Sequence, residues 1–218
     1  MLRKLELILS IPKSLYVSFK LCPFRQAFRL PIVVRFNTKI IECKGTAVLN
    51  GGGRISIGFG QISEFDKKFE RSIIKLNGQL MVETPCWFGQ GSRIIQECNG
   101  ILTIGKRFVN TSNLIISNRG NITIGNDCLV SWKTWICDTD FHKIVSLETG
   151  MTSNPDGKII IGDKVWIGAN SNVMKGSVIP NGCIVGSYSL VNKAFAEDNC
   201  LLVGIPAFVK KKQVTWNI

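Results

Sequence analysis

The chain of 218 residues holds one histidine, His142, and that scarcity removes whole classes of chemistry. No multi-histidine metal site can be built, the three-histidine zinc hydratases included. The eight cysteines (Cys22, Cys43, Cys86, Cys98, Cys128, Cys137, Cys183, Cys200) form no CxxC pair and no zinc-ligand spacing. They stand singly in apolar stretches, the pattern of small buried side chains in a reducing compartment, so no disulfide framework is implied. No run reaches the roughly 18 consecutive apolar residues of a spanning helix. A GxxxxGK[ST] loop is absent, which leaves nucleotide hydrolysis without support, and no nucleic-acid-binding module is recognisable. Acidic residues are in deficit too: 15 Asp plus Glu against 27 Lys plus Arg give a net charge of +12. Favoured partners therefore carry negative charge, such as a membrane surface, a phosphorylated cofactor or an acidic glycan. What the chain does have, 45% hydrophobic residues and 21 Gly, suits one folded domain with a sizeable core.

The opening thirty residues begin like an export signal, but Glu6 interrupts the apolar run, Pro12 follows, and no small-residue cleavage site appears. The expected location is the cytoplasm. This segment mixes Leu, Ile, Phe and Tyr with Arg3, Lys4, Lys13, Lys20, Arg25 and Arg29. Two readings follow from that mixture: a cap over one end of the domain, or a segment lying weakly on an anionic membrane at its inner face.

Beyond it the sequence repeats itself. GRISIG from Gly53, GQLMVE from Gly78, GILTIG from Gly100, GNITIG from Gly120 and GKIIIG from Gly157 share one phrase, in which aliphatic residues alternate with variable ones after a glycine. Each reads as a short strand with its aliphatic face inward and a corner at the closing glycine. Between the copies at 120 and 157 the stretch WKTWICDTDFHKIVSLETGMTSNPDG departs from the pattern and reads as an inserted loop of about 132–157, where solenoids tend to carry function.

After Gly157 the period tightens to six. Ile161, Ile167, Val173, Ile179, Val185 and Val191 are all β-branched, and four residues after the first five come Val165, Ser171, Ser177, Cys183 and Ser189. A helix needs period 3.6 and a half-buried strand period 2, so neither accounts for the hexads. A triangular prism does. Short strands joined by tight corners would put the aliphatic and the small side chain inside, stacked on neighbouring coils at about 4.8 Å. Gly182 and Asn181 suit corners that need positive φ.

These hexads, with VWIGANSNVMKGSVIPNGCIVGSYSLVNK from Val165 and LLVGIPAFVKKK from Leu201, resemble the hexapeptide-repeat acyltransferases. DTDFH from Asp138 is similar to the branch that acetylates sugars of surface polysaccharide and lipopolysaccharide. The resemblance covers roughly Gly53 to Lys212. It implies an all-β, left-handed parallel β-helix, with a cap over 1–40, the solenoid over 41–205 and a tail over 206–218. It also implies acetyl-CoA as donor, a hydroxyl of a capsule, O-antigen or exopolysaccharide sugar as acceptor, a homotrimer with sites between prisms, and no metal.

Transfer of an acetyl group from a thioester to a hydroxyl needs a base that takes the hydroxyl proton, and imidazole suits it. A lone histidine is often only a satisfied surface residue. His142, however, lies in the one irregular insertion, where the resembled family keeps its catalytic histidine. Were residues 138–142 extended, Asp138, Asp140 and His142 would share a face, and either carboxylate could orient the ring; turn-making is the alternative for both. Trp166 either walls the acetyl pocket or packs between coils, and Trp132 and Trp135 either stack on the sugar or pack the insertion. Positions matching the family's coenzyme A groove are Gly168, Ala169, Gly186, Ser187, Asn192 and Lys193, with Lys210 and Lys211 as phosphate contacts or a solvated tail. Asn192 stands where the family usually has threonine, and it can still donate a hydrogen bond. Rival functions are N-acetylation of an amino sugar or another small acceptor, and a non-catalytic solenoid scaffold.

Overall fold

The computed structural model describes residues 2–60, 62–66 and 69–217. It is a left-handed parallel β-helix whose coils stack as a three-sided prism. Sheet I has nine strands, from β1 (Ile32–Val34) to Ala207–Lys211; sheet II has seven, from Lys39–Cys43 to Leu190–Val191; sheet III has six, from Thr46–Asn50 to Val178–Ile179. Every pairing is parallel except the last, where Ala207–Lys211 folds back antiparallel on Leu201–Gly204. Strands shorten along the stack, from five residues in Thr46–Asn50 to two in Val178–Ile179.

Hexad periodicity becomes a column of side chains. Ile167 and Val185 face in from sheet I, Val173 and Val191 from sheet II, and Ile161 and Ile179 from sheet III, none more than 1% exposed. Burying each contributes roughly 1.5–3 kcal/mol. Val165, Ser171, Ser177, Cys183 and Ser189 fill the corners and are equally buried. Four of the five glycine-led phrases stack directly on one another in sheet III, with Gln79 beside Ile101, Ile101 beside Asn121, and Ile122 beside Ile159. The phrase at Gly53 lies instead in sheet I, as Ile55–Phe59.

The corner between sheets III and I shows what the repeated Ile-Gly step is for. A Cβ on Gly125 would lie 2.4 Å from Asp163 Oδ1, so the glycine is required by close approach of the next coil, not by its φ. Left-handed φ values fall two residues on, at Arg107, Asp127 and Lys164, and at Gly182 and Asn199 in the later coils. Beside them runs a ladder of side-chain acceptors: Lys106 N donates to Asn126 Oδ1, Asn126 N to Asp163 Oδ1, Asp163 N to Asn181 Oδ1, and Asn181 N to Asp198 Oδ1, at 2.7–3.0 Å. Asn181 is thus an acceptor in the ladder, while Gly182 takes the positive φ.

Three boundaries differ from expectation. The first coil begins at Ile32, because β1 already pairs with Ile55–Phe59, so the cap is shorter than 1–40. Trp135–Cys137 is still a strand of sheet II, so the insertion leaves the coil at Asp138 rather than near 132. At the C-terminus the tail is structured: it holds the strand Ala207–Lys211, and Trp216 is 9% exposed.

The N-terminal cap solves an edge problem. β1 is the outermost strand of sheet I and presents backbone groups with no strand below them. Helix α1 (Leu2–Leu21) lies across this edge and meets it with serines. Ser18 Oγ accepts from Ile32 N, Ser14 Oγ from Val34 N, and Ser10 Oγ from Phe36 N, at 3.0–3.4 Å. One helical turn of four residues rises about 6.0 Å and two strand residues about 6.6 Å, so alternate strand amides meet successive turns.

Candidate active site at the prism edges

The insertion leaves the prism at the corner between sheets II and III and returns as a small hairpin. Val145 bridges Thr152, Ser146 N donates to Met151 O, and Ser153 N to Ile144 O. Asn154 is its hub: its Nδ2 donates to Asp140 Oδ2 at 2.7 Å and to His142 O at 3.0 Å, while its Oδ1 accepts from Ile144 N. Lys175, from the next coil, ties this hairpin to the prism. Its ammonium pairs with Asp140 at 2.7 Å and donates to Pro155 O at 2.9 Å. Lys175, then Asn154, hold the Asp140 carboxyl below its ordinary value. A depressed carboxyl contributes its tie above the ordinary carboxylate range and loses it only as pH falls through the lowered value, so the loop is anchored at neutral pH.

His142 is held by its backbone and free at its ring. Its N–H donates to Asp140 O at 2.7 Å, its carbonyl accepts from Asn154, and the exposed imidazole makes no hydrogen bond among the described residues. The shared face expected of Asp138, Asp140 and His142 does not form, because the strand stops at Cys137 and Phe141 turns the chain with φ +62°. Asp138 is fully buried and its carboxylate serves the coil below, accepting from Asn118 Nδ2, Arg119 N and Gly120 N at 2.8–2.9 Å. Asp140 is committed to Lys175 and Asn154. Neither carboxylate touches the imidazole. A cavity of about 380 Å³ opens beside the root of the loop, with Phe141 and Thr139 on one wall and Asn99, Asn118 and Arg119 on another.

The remaining expected residues divide between two edges. Gly168 and Ala169 lie at the corner between sheets I and II, directly below Gly186 and Ser187, since Ile167 pairs with Val185. A Cβ on Gly168 would stand 2.6 Å from Ser187 N, so this ledge stays bare. Trp132 lies at the same corner, one coil below, with Asn170 N donating to its carbonyl. Its ring packs edge-on against Phe65 at 6.4 Å, and Lys133 Nζ lies 5.1 Å from the Phe65 centroid. Asn192 and Lys193 occupy the other edge, above Lys175, because Val191 pairs with Val173. Lys193 Nζ stands 5.5 Å from the Phe195 ring. Lys210 and Lys211 are exposed on the final strand. Trp135 stands on sheet II between the edges and donates from Nε1 to Ser117 Oγ. Trp166 packs: its ring lies 6.1 Å from Trp216, and its Nε1 donates to Ser131 Oγ.

Asn154 and Lys175 were not singled out from the sequence. Lys175 was within reach, because setting Cys137 beside Met174 in the hexad register puts Lys175 over Asp138 at the loop's root. Among the described residues no group of three His, Cys, Asp or Glu side chains is placed to hold a metal ion.

Residues 158–193 match the family model of the bacterial transferase hexapeptide, six repeats. A 24.8 kDa protein in the cps region of Klebsiella pneumoniae is 30% identical over 202 residues, 92% of this chain and 87% of that one. The chain belongs to the hexapeptide-repeat transferase family. The putative lipopolysaccharide biosynthesis O-acetyl transferase WbbJ of Escherichia coli is 28% identical over 132 residues, covering 57% of this chain and 67% of that protein. The crystal structure of the polySia-specific acetyltransferase NeuO superposes with a TM-score of 0.62 at 20% identity, over 91% of this chain and 83% of that one, and shares the fold.

Proposed function

We propose that this chain is an O-acetyltransferase that moves the acetyl group of acetyl-CoA to a hydroxyl of a capsule, O-antigen or exopolysaccharide sugar, with His142 as general base. The observation that carries this reading is the placement of the chain's one imidazole. In a hexapeptide-repeat transferase it stands solvent-facing and without a partner among the described residues, at the root of a hairpin pinned by Asn154 and Lys175. The imidazole takes the hydroxyl proton as the sugar oxygen attacks the thioester carbonyl, and returns it to the sulfur as the carbon–sulfur bond breaks. Asp140 is a positioning residue that acts through the loop.

The donor fits the two edges. The bare ledge of Gly168, Ala169, Gly186 and Ser187 suits a thin pantetheine arm, and Asn192, Lys193, Lys210 and Lys211 offer donors and positive charge to phosphates. The ledge and the Asn192–Lys193 pair flank sheet II from opposite corners, while Lys210 and Lys211 stand on the last strand of sheet I. The first two support a homotrimer whose site pairs one chain's ledge with the next chain's His142. Several apolar side chains of the hairpin lie bare in the single chain, Leu147 completely and Met151 at 67%, as a loop covered by a neighbour would. A cytoplasmic enzyme with buried, protonated thiols is consistent with this reading; burial pushes Cys86 and Cys128 up to about 12.

Release of free thiol from acetyl-CoA, measured with a panel of glycans, tests the proposal. Intact protein should acetylate hydroxyls of one surface glycan. His142→Ala should lose about 10²- to 10⁴-fold in kcat while keeping its fold and its affinity for the donor. Retention of more than about a tenth of the intact rate would make His142 structural. Transfer to amino groups alone would favour the N-acetyl reading, and no thioester cleavage with any acceptor would favour a scaffold.

A further inference from the structure

Helix α1 is turned inside out. A surface helix ordinarily buries its apolar stripe and shows water its polar face. Here Ser10, Ser14 and Ser18 are buried against β1, with Val17 and Leu21 buried beside them, and a longer apolar stripe points away from the prism. Leu5, Ile8, Leu9, Tyr16 and Phe19 recur at helical spacing and are 38–61% exposed. Helix α2 (Phe24–Ala27) and the residue after it extend the stripe with Phe24 and Phe28, 69% and 62% exposed. Phe19, Phe24 and Phe28 pack edge to face with centroids 4.9–5.6 Å apart, so the patch is continuous across both helices.

The charges around this patch have one sign. Lys4, Lys20, Arg25 and Arg29 are exposed along it, whereas Glu6 turns inward to pair with Arg35. A second copy seated on the patch would bring these cations face to face; an anionic surface would neutralise them. No helix among the described residues is long and apolar enough to cross a membrane, and α1 is fastened along one side to β1. We propose that α1 and α2 form a docking face for an anionic lipid bilayer, α1 lying in the plane of the interface with its outer stripe among the acyl chains and its basic rim at the headgroups. The serine face makes this possible, because the cap satisfies the sheet edge with hydroxyls and buries only Val17 and Leu21 among the helix's described large apolar side chains. Docking needs only one chain; in the trimer proposed above, three faces would act together.

Vesicle flotation of the full chain tests this, and it reads no acetyl transfer, so it can fail while the enzymatic reading stands. Intact protein should float with vesicles containing phosphatidylglycerol, bind pure phosphatidylcholine weakly, and lose the interaction as salt rises. Arg25→Gln with Arg29→Gln should weaken binding roughly thirtyfold. Phe24→Ser with Phe28→Ser should weaken it too, with a modest loss of thermal stability from the broken contacts with Phe19 and with thiol release unchanged, because these side chains lie on the cap and not in the site. The proposal is overturned if intact protein binds neither vesicle at low salt, or if the arginine variant floats like the intact chain. It is equally overturned if the phenylalanine variant shrinks the particle in solution, which would make this face an interface between copies.

Discussion

Asp138 and His142 stand four positions apart and take different parts. Asp138 is a keystone: three donors from the coil below converge on a carboxylate with no exposure to water, and hydrogen bonds to a charged acceptor contribute about 1.5–3 kcal/mol each in favourable cases. Asp138→Asn turns one acceptor into a donor aimed at donors. We expect a loss of about 2–4 kcal/mol and a melting temperature lower by roughly 5–15 °C, at some 2–4 °C per kcal/mol for a chain of this size. The thiol-release rate per folded molecule should change little. A kcat collapse with an unchanged melting temperature would instead put Asp138 in the reaction. His142 presents the opposite profile, with its side chain exposed and its backbone pinned, as the general-base proposal requires.

At the scale of elements, the cap depends on three serines set one turn apart. Ser14→Ala leaves the amide of Val34 buried without its acceptor, at about 1–3 kcal/mol. Ser14→Ala with Ser18→Ala should therefore lower the melting temperature clearly more than either change alone, and scanning calorimetry that showed the double variant within a degree or so of the intact chain would refute the serine cap. The solenoid itself was legible, because inward residues at a strict period of six leave one solution: Ile161, Ile167, Val173, Ile179, Val185 and Val191 are the column they were read to be. The serine cap was not legible. Ser10, Ser14 and Ser18 look like the polar, outward face of an amphipathic helix, and only the unpaired edge of β1 reverses that reading. The candidate site was legible in part. His142 stood out as the chain's single imidazole, but Asp138 and Asp140 looked alike in sequence and were separated only by which coil claimed each carboxylate. Trp166 was ambiguous because its partner, Trp216, lies far along the chain and packs back across the outer face of sheet I.

For the whole molecule, the division of the expected site between two corners is the feature from which the proposed homotrimer is argued. One corner carries the bare ledge of Gly168 and Gly186, and the other carries His142, Lys175 and Lys193. With sheet II facing a threefold axis, each chain's second corner would meet its neighbour's first, giving three sites, each made of two chains. Two inactive variants should then complement. His142→Ala lacks the base but keeps its ledge, whereas Ser187→Trp fills an exposed position on the ledge but keeps its base. Mixed at equal amounts and reassembled after mild dissociation, they should form sites in which an intact base from one chain faces an intact ledge from the next. Random assembly gives about a quarter of the sites this composition, so roughly a quarter of the intact rate should return. Light scattering on the intact chain should report three copies. Because neither variant can supply both halves, rescue requires a site shared between chains; a light-scattering monomer, or a reassembled trimer with no recovered activity, would place ledge and base in one chain and overturn the assembly.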